Sequence, residues 1–374
     1  PRPFEVDLAA LEGMVKELSV LFKDYKELFN SNVMLVAVEQ DNYRLTSENV
    51  RLKFPLGLVG LTVSASVRTT DGSTVSDVLA ISSLDNPADL PSIEELKKKV
   101  KDFADNLMEL KETPMIEEYY TGPVLFEGGA ASRLFTDNLL SPGRLLALRT
   151  MAPARGMLDE QLGRRIIDSR LTVKNYTTLA EYNGTPLFGC YEIDGDGVVP
   201  AAELTLVENG VFKRMLNGRV PTLKAPESTG SARFMISPDN PMAIVSPGTI
   251  HVQASKGVGP EKLKKALLKA AKEADLEYAY IVRRIGGEAS AVYKVNVKDG
   301  KEIRVRVNNL SAPELTKLMD LKGISSDERV MNYFPNGVPA SLIYPSAIIV
   351  GDVEINRTTP KIEEEPVLKH PLQR

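Results

Sequence analysis

The chain has 374 residues, 43% apolar and 26% charged, with a formal charge of −4. Those values describe a soluble globular protein of one or two domains, whose core is large enough to need no disulfide or structural metal. Acidic and basic residues interleave, which argues against nucleic acid as the main ligand, and no apolar run approaches the roughly 18 to 20 residues that cross a bilayer.

The opening Pro1-Arg2-Pro3-Phe4 carries no initiator methionine and no signal-peptide pattern, so the chain is expected to begin downstream of its gene's start. Compartment stays open between cytoplasm and export. Apolar residues from Leu8 through Leu11, Val15, Leu18, Phe22 and Tyr25 to Leu28 recur at three- and four-residue steps, which predicts one amphipathic helix over 4–29. Short β-rich runs follow at 33–38, 49–54, 58–68 and 73–80, with turn signals at Asp41-Asn42 and Asp71-Gly72, an antiparallel meander. A loop is expected over 85–91. Ser92 and Glu95 form a capping box for a second helix ending near Leu110, and Thr113-Pro114 stops it.

Glycine, proline and short strands then become frequent, which places a domain boundary near 113–120. The expected division is an α+β domain over 1–115, a larger and mainly antiparallel β domain over 116–358, and a polar, poorly ordered tail over 359–374. Within the second domain a strand at 122–126 leads through Gly128-Gly129 into a short helix over 130–139. Strands are read at 171–174, 201–208 and 249–254, and Pro260 opens a helix reaching about Ala274. Strands at 278–284, 291–297 and 302–308 follow, the last two joined by a turn at 298–301, and the final strand is read at 347–355.

Chemistry-bearing residues are sparse. Cys190 is the single cysteine, and the two histidines, His251 and His370, are too few and too scattered for a histidine-based zinc or nucleophile site. His251 alternates with Ile250 and Val252 and reads as a half-exposed strand residue. Gly128 and Gly129 could turn backbone N–H groups toward an anion, but the segment lacks the ending of a P-loop and the third glycine of a dinucleotide fingerprint, so a tight packing turn is the simpler reading. Glu127, at a strand-to-helix junction, is a candidate general base. Asp194-Gly195-Asp196-Gly197 opens like a calcium loop, yet later ligand positions hold Val199 and Ala201, and a turn between strands explains it better. Lys262, Lys264, Lys265, Lys269 and Lys272 alternate with Leu263, Leu267 and Leu268 and read as a solvated helix face.

Several segments together resemble the TldD/PmbA family, bacterial proteins associated with peptide maturation and once labelled modulators of DNA gyrase. Tyr120-Thr121-Gly122-Pro123-Val124-Leu125-Phe126-Glu127 is similar to the family's "GPVL" strand. The stretch from Gly163 to Val173 resembles the one that follows it, and Asp194 to Val198 stands in place of a "D-D-E-G-V" turn. Leu206-Val207-Glu208-Asn209-Gly210-Val211-Phe212-Lys213 resembles "L-I-E-N-G-V-L-K", and Ser228-Thr229-Gly230-Ser231-Ala232-Arg233 resembles "S-T-G-x-x-R". The order is shared over about residues 115–255.

Zinc peptidases of that family carry a His-Glu-x-x-x-His pattern after the "GPVL" strand and a cysteine near the C-terminus. On this resemblance Glu127 keeps the general-base position, while Phe126 and Ala131 stand where the histidines would be, and 332–339 holds no cysteine. Neither phenyl nor methyl ligates Zn²⁺, so no metal or other cofactor is expected. The resemblance implies a homodimer, or a heterodimer with a zinc-bearing paralogue, around a cleft. Substrate-binding candidates are Gly128, Gly129, Asp194, Asp196, Gly230 and Arg233. The first functional expectation is a metallopeptidase-family protein that has lost its zinc ligands and serves as a peptide-binding or partner subunit. Two alternatives remain: a peptide hydrolase using Glu127 without the standard zinc site, and a non-enzymatic structural or regulatory protein.

Overall fold

The computed structural model describes residues 6–84, 87–148, 157–237, 242–287, 289–307 and 310–357; the expected tail at 359–374 lies outside them. The first helix, Leu8–Val20, is capped by Asp7, whose carboxylate accepts the Ala10 N–H at 3.1 Å. It is shorter than its periodicity predicts. After Val20 the chain tightens into a 3₁₀ turn, Leu21–Asp24, Tyr25 leaves helical geometry, and Leu28 enters a strand opposite Val67. Phe22 and Tyr25 pack against the same apolar core as Leu18, so the spacing reported a shared core and not a continuous helical backbone.

The meander has three strands, Leu28–Leu45, Arg51–Arg68 and Thr74–Leu84. Its first turn is not at Asp41-Asn42. Both residues stay in the strand, opposite Pro55 and Phe54, and the reversal comes over 46–50 with Asn49 at φ 66°. Pro55 is tolerated because, among the described residues, the pairing of the third strand ends at Leu58 opposite Leu84 and does not reach Pro55. Leu61, Val63, Ala65 and Val67 alternate onto one face and meet Leu96, Val100, Phe103 and Leu107 of the helix Ile93–Glu112. That helix begins in the capping box read from Ser92 and Glu95.

Beyond it lie two six-stranded sheets. In one, Tyr120–Glu127 sits between Tyr278–Arg284, parallel to it, and Ala347–Ile355, antiparallel to it. In the other, Thr249–Ala254 lies between Leu171–Tyr176 and Ala340–Pro345. Val124, Phe126, Val282 and Ile348 of the first sheet share one apolar cluster with Val173, Ile250, Val252 and Leu342 of the second. Helix Gly129–Leu139 adds Leu134 and Phe135 to it. Helix Pro260–Glu273 covers the other face of the first sheet through Leu263, Leu267 and Ala271, against Leu125, Ile281 and Ile349, which leaves its lysines outward. Most pairings are antiparallel, so the chain is α+β with a larger β part, as expected.

The long hairpin is what positions the site. Its outer half runs past the third strand and lies along residues 191–237, where Phe54 tilts against Phe234 at 5.0 Å and Gln40 binds both the Met235 carbonyl and the Ser237 N–H.

Candidate functional site

Strand alternation decides where Glu127 points. Val124 and Phe126 face the shared core, so Leu125 and Glu127 face the opposite side. There the Glu127 carboxylate accepts from Arg283 Nε at 3.0 Å, and Arg283 Nη2 continues to Glu302 at 2.8 Å. The guanidinium lies 4.4 Å from the Tyr293 ring centre, and Lys264 joins Glu302 at 2.6 Å. Glu127 is one end of a chain of alternating charges along the sheet. The next residue, Gly128, adopts φ 55° and its N–H already donates to the Ser346 carbonyl at 2.8 Å, so it is not free to cradle an anion; Gly129 opens the helix.

The resemblance places zinc at this junction, and the side chains there do not fit it. Phe126 and Ala131 are wholly buried among apolar neighbours; neither carries a lone pair. Among the described residues, no group of three His, Cys, Asp or Glu side chains is placed to hold a metal ion.

The remaining predicted residues converge elsewhere. Asp194 is buried, and its Oδ1 accepts from the N–H groups of Asp196 and Val198 at 2.9 and 2.8 Å, while Oδ2 accepts from Ala232 at 3.0 Å. The calcium-like sequence is therefore a turn whose first carboxylate is taken by backbone donors. Burial nevertheless outweighs those bonds and raises the Asp194 pKa above the ordinary aspartate value. Asp196 Oδ2 accepts the Arg219 N–H at 3.0 Å. Gly230, at φ 67°, abuts Pro200, and its carbonyl accepts the Tyr191 hydroxyl at 2.8 Å.

Arg233 sits in the short strand Ala232–Phe234, 8% exposed. Its Nη1 donates to the carbonyls of Pro247 and Pro339, and its plane lies 4.4 Å from the Tyr191 ring centre. Burial lowers its pKa to about 10, so it remains a cation at neutral pH. Asp194, Gly195 and Arg233 line a cavity of about 320 Å³ with Cys190, Tyr191, Phe188, Phe234, Pro339, Leu84 and residues 53–56 of the hairpin. A second cavity of about 600 Å³ adjoins it, sharing Leu84 and Phe188. The structure thus gathers Asp194, Asp196, Gly230 and Arg233 into one region. Glu127, Gly128 and Gly129 share no described contact or cavity with them.

Two groupings escaped the sequence. The hairpin wall, with Phe54 and Leu56, is distant in the chain from Arg233 and carries no spacing signal. His251, expected to be half-exposed, is 7% exposed: its Nε2 meets Glu328 Oε1 at 2.9 Å, and the Tyr182 hydroxyl binds the same carboxylate. The hairpin at 181–186 covers it, which strand alternation could not foresee. Burial is the largest single influence on the Glu328 carboxyl and pushes its pKa up, but the bonds to His251 and Tyr182 and the charge of His251 together outweigh it and hold the pKa below the usual glutamate value.

Residues 119–356 match the family model described as the PmbA/TldA metallopeptidase C-terminal domain. Among solved structures, TldE from Thermococcus kodakarensis is similar at 15% identity and TM-score 0.59, over 94% of this chain and 75% of that one. A Thermotoga maritima protein named as a modulator of a DNA gyrase is similar at 16% identity and TM-score 0.57, again over 94% of this chain and 75% of that one. These likenesses speak to fold. No curated protein matches the sequence. The family model spans more than half of the chain, along the strand-to-helix junction and the Arg233 region alike, and the chain belongs to the TldD/PmbA family.

Proposed function

We propose that this chain is a TldD/PmbA-family protein without the zinc chemistry, acting in peptide processing as a peptide-binding or partner subunit, either as a homodimer or beside a zinc-bearing paralogue. The observation that carries this reading is the contrast between two places. Where the resemblance calls for ligands, Phe126 and Ala131 are packed into the core. Beside Arg233, the chain keeps an open cavity with several apolar wall residues and a buried cation, next to a second cavity that shares Leu84 and Phe188 with it. Pockets of roughly 300 to 1,000 Å³ with few polar groups are the usual receptors for small ligands and peptide segments.

Metal analysis of the protein purified from zinc-supplemented cells is expected to give far less than one zinc per chain. Stoichiometric zinc that survives dialysis against a weak chelator would sink the reading. Glu127→Gln is expected to leave peptide binding and any peptide turnover unchanged. It should alter stability by less than about 1 kcal/mol, because the Arg283 pair is partly exposed and Glu302 still holds the guanidinium. Loss of peptide cleavage in that variant would favour the hydrolase alternative.

A further inference from the structure

Arg233 is a buried charge with no carboxylate partner among the described residues. Of the five N–H donors of a guanidinium, those on Nη1 go to the Pro247 and Pro339 carbonyls, which are neutral. Among the described residues no carboxylate forms an ion pair with Arg233, and the two hydrogen bonds described for its guanidinium both leave from Nη1. A buried guanidinium left without a counter-charge is destabilising unless something supplies one. The carboxylates nearest the cavity do not: Asp194 is held by three backbone N–H groups, and Glu192 is exposed. The Nε–Nη2 edge is one of the two faces of arginine that bind a carboxylate through parallel hydrogen bonds.

We propose that the cavity over Arg233 is a receptor for the C-terminal carboxylate of a peptide whose last side chain is apolar. The inference rests on the peptide-binding reading above and narrows it to one end of the peptide. The walls are Phe54, Leu56, Leu84, Phe188 and Phe234, which suit an apolar side chain beside the carboxylate. The volume of about 320 Å³ holds one residue, and the adjoining 600 Å³ takes those before it. Two cations line the cavity, Lys53 and Arg233; Lys53 is paired with Asp41 at 2.8 Å, which leaves Arg233 as the one without a carboxylate partner among the described residues. Phe54 comes from the hairpin and Arg233 from the β-rich part, so the receptor exists only where the two meet.

Cys190, the chain's single cysteine, is exposed and lines the same cavity, which makes it a built-in reporter. The test measures the rate at which iodoacetamide alkylates Cys190 in the full chain. The probes are N-acetyl-alanyl-alanyl-phenylalanine, its C-terminal amide and phenylpropionate. The free-acid tripeptide is expected to protect at concentrations at least about tenfold lower than the amide, as loss of a bidentate charged contact predicts. Arg233→Gln is expected to abolish that difference. Since Arg233 is buried and its replacement can disturb folding, Phe54→Ala, on the hairpin wall, serves as the second variant, with protection by the acid weakened about fivefold or more. Equal protection by acid and amide overturns this proposal while leaving peptide binding intact, and protection by neither counts against both. Phenylpropionate protecting as well as the tripeptide overturns the assignment to a peptide, as does undiminished protection of Phe54→Ala.

Discussion

Asp168→Asn is expected to lower the unfolding free energy at pH 7 by about 3 kcal/mol, as breaking one side of a buried charged pair does. Asp168 is 5% exposed. Its Oδ1 accepts from the backbone N–H and Nε of Arg170 at 2.9 and 2.8 Å, and its Oδ2 from Arg170 Nη2 and the Leu321 N–H at 2.7 and 2.9 Å. The carboxylate thereby joins the start of Leu171–Tyr176 in one sheet to the start of Leu321–Ile324 in the other. An amide of the same shape presents an NH₂ group to two of these donors. Burial alone would raise the Asp168 pKa, but the bonds from Arg170 and Leu321 outweigh it and bring it to about 2, below the ordinary aspartate value of 3.8. A lowered folded pKa contributes stability that is complete well above the unfolded value and is lost as pH falls toward the folded one. This shift corresponds to about 2 kcal/mol, and about 1 kcal/mol of it should disappear between pH 7 and pH 3. Urea titrations at both values should show the gap between wild type and variant narrowing by that amount. A gap independent of pH would show that the carboxylate's charge is not what joins the sheets.

Arg306→Met is expected to cost a similar amount, about 3 kcal/mol, and to loosen a different junction. Arg306 is 2% exposed, and its guanidinium reaches the Thr113 carbonyl at 2.9 Å, Ser73 Oγ at 2.9 Å and the Asp71 carboxylate. Its own backbone joins Pro114 and Ile116 at 2.8 and 3.0 Å. One side chain therefore ties the turn between the second and third meander strands to the segment leaving Ile93–Glu112. Asp71 is pushed up by burial and more strongly down by hydrogen bonds from Ser73 and Thr69 and by the Arg306 charge, and it settles at about 2. Methionine fills most of the volume but leaves the Asp71 charge without its cation and the Thr113 carbonyl without a donor. Amide hydrogen exchange should accelerate at Ser73, Thr70 and Ile116 while Val252 and Ile349 keep their protection. Unchanged exchange at the first three would refute the role. Arg306→Lys, which restores charge but not the three-way fork, should fall between the two.

Features that depend on a few neighbouring residues were legible beforehand. The capping box at Ser92 and Glu95, the proline-led helix Pro260–Glu273 and the strand ending at Glu127 each follow from local donors, a fixed φ or alternating burial. The segments shared with the TldD/PmbA family were visible for the same reason, since each is a short turn or strand. The turn at 46–50 was not, because Asp41 and Asn42 carry the stronger turn chemistry and register was set instead by Val33 opposite Val63 and the pairs beside it. His251 reads as half-exposed until the hairpin at 181–186 is folded over it.

Side-chain inventory alone, two histidines and one cysteine, was enough to argue against a histidine-based zinc centre, and alternation along Tyr120–Glu127 was enough to set Glu127 and Phe126 on opposite faces. Only the tertiary structure decided what those faces meet: Arg283 for one, the apolar core for the other. It also decided that Arg233 and Phe54 line one cavity, although the two are far apart in the chain. Composition and period are properties of single segments. The partner of a buried charge depends on which segments pack together, and in this chain that packing puts a guanidinium without a carboxylate partner among the described residues beside a cavity walled by Phe54, Leu56 and Phe234.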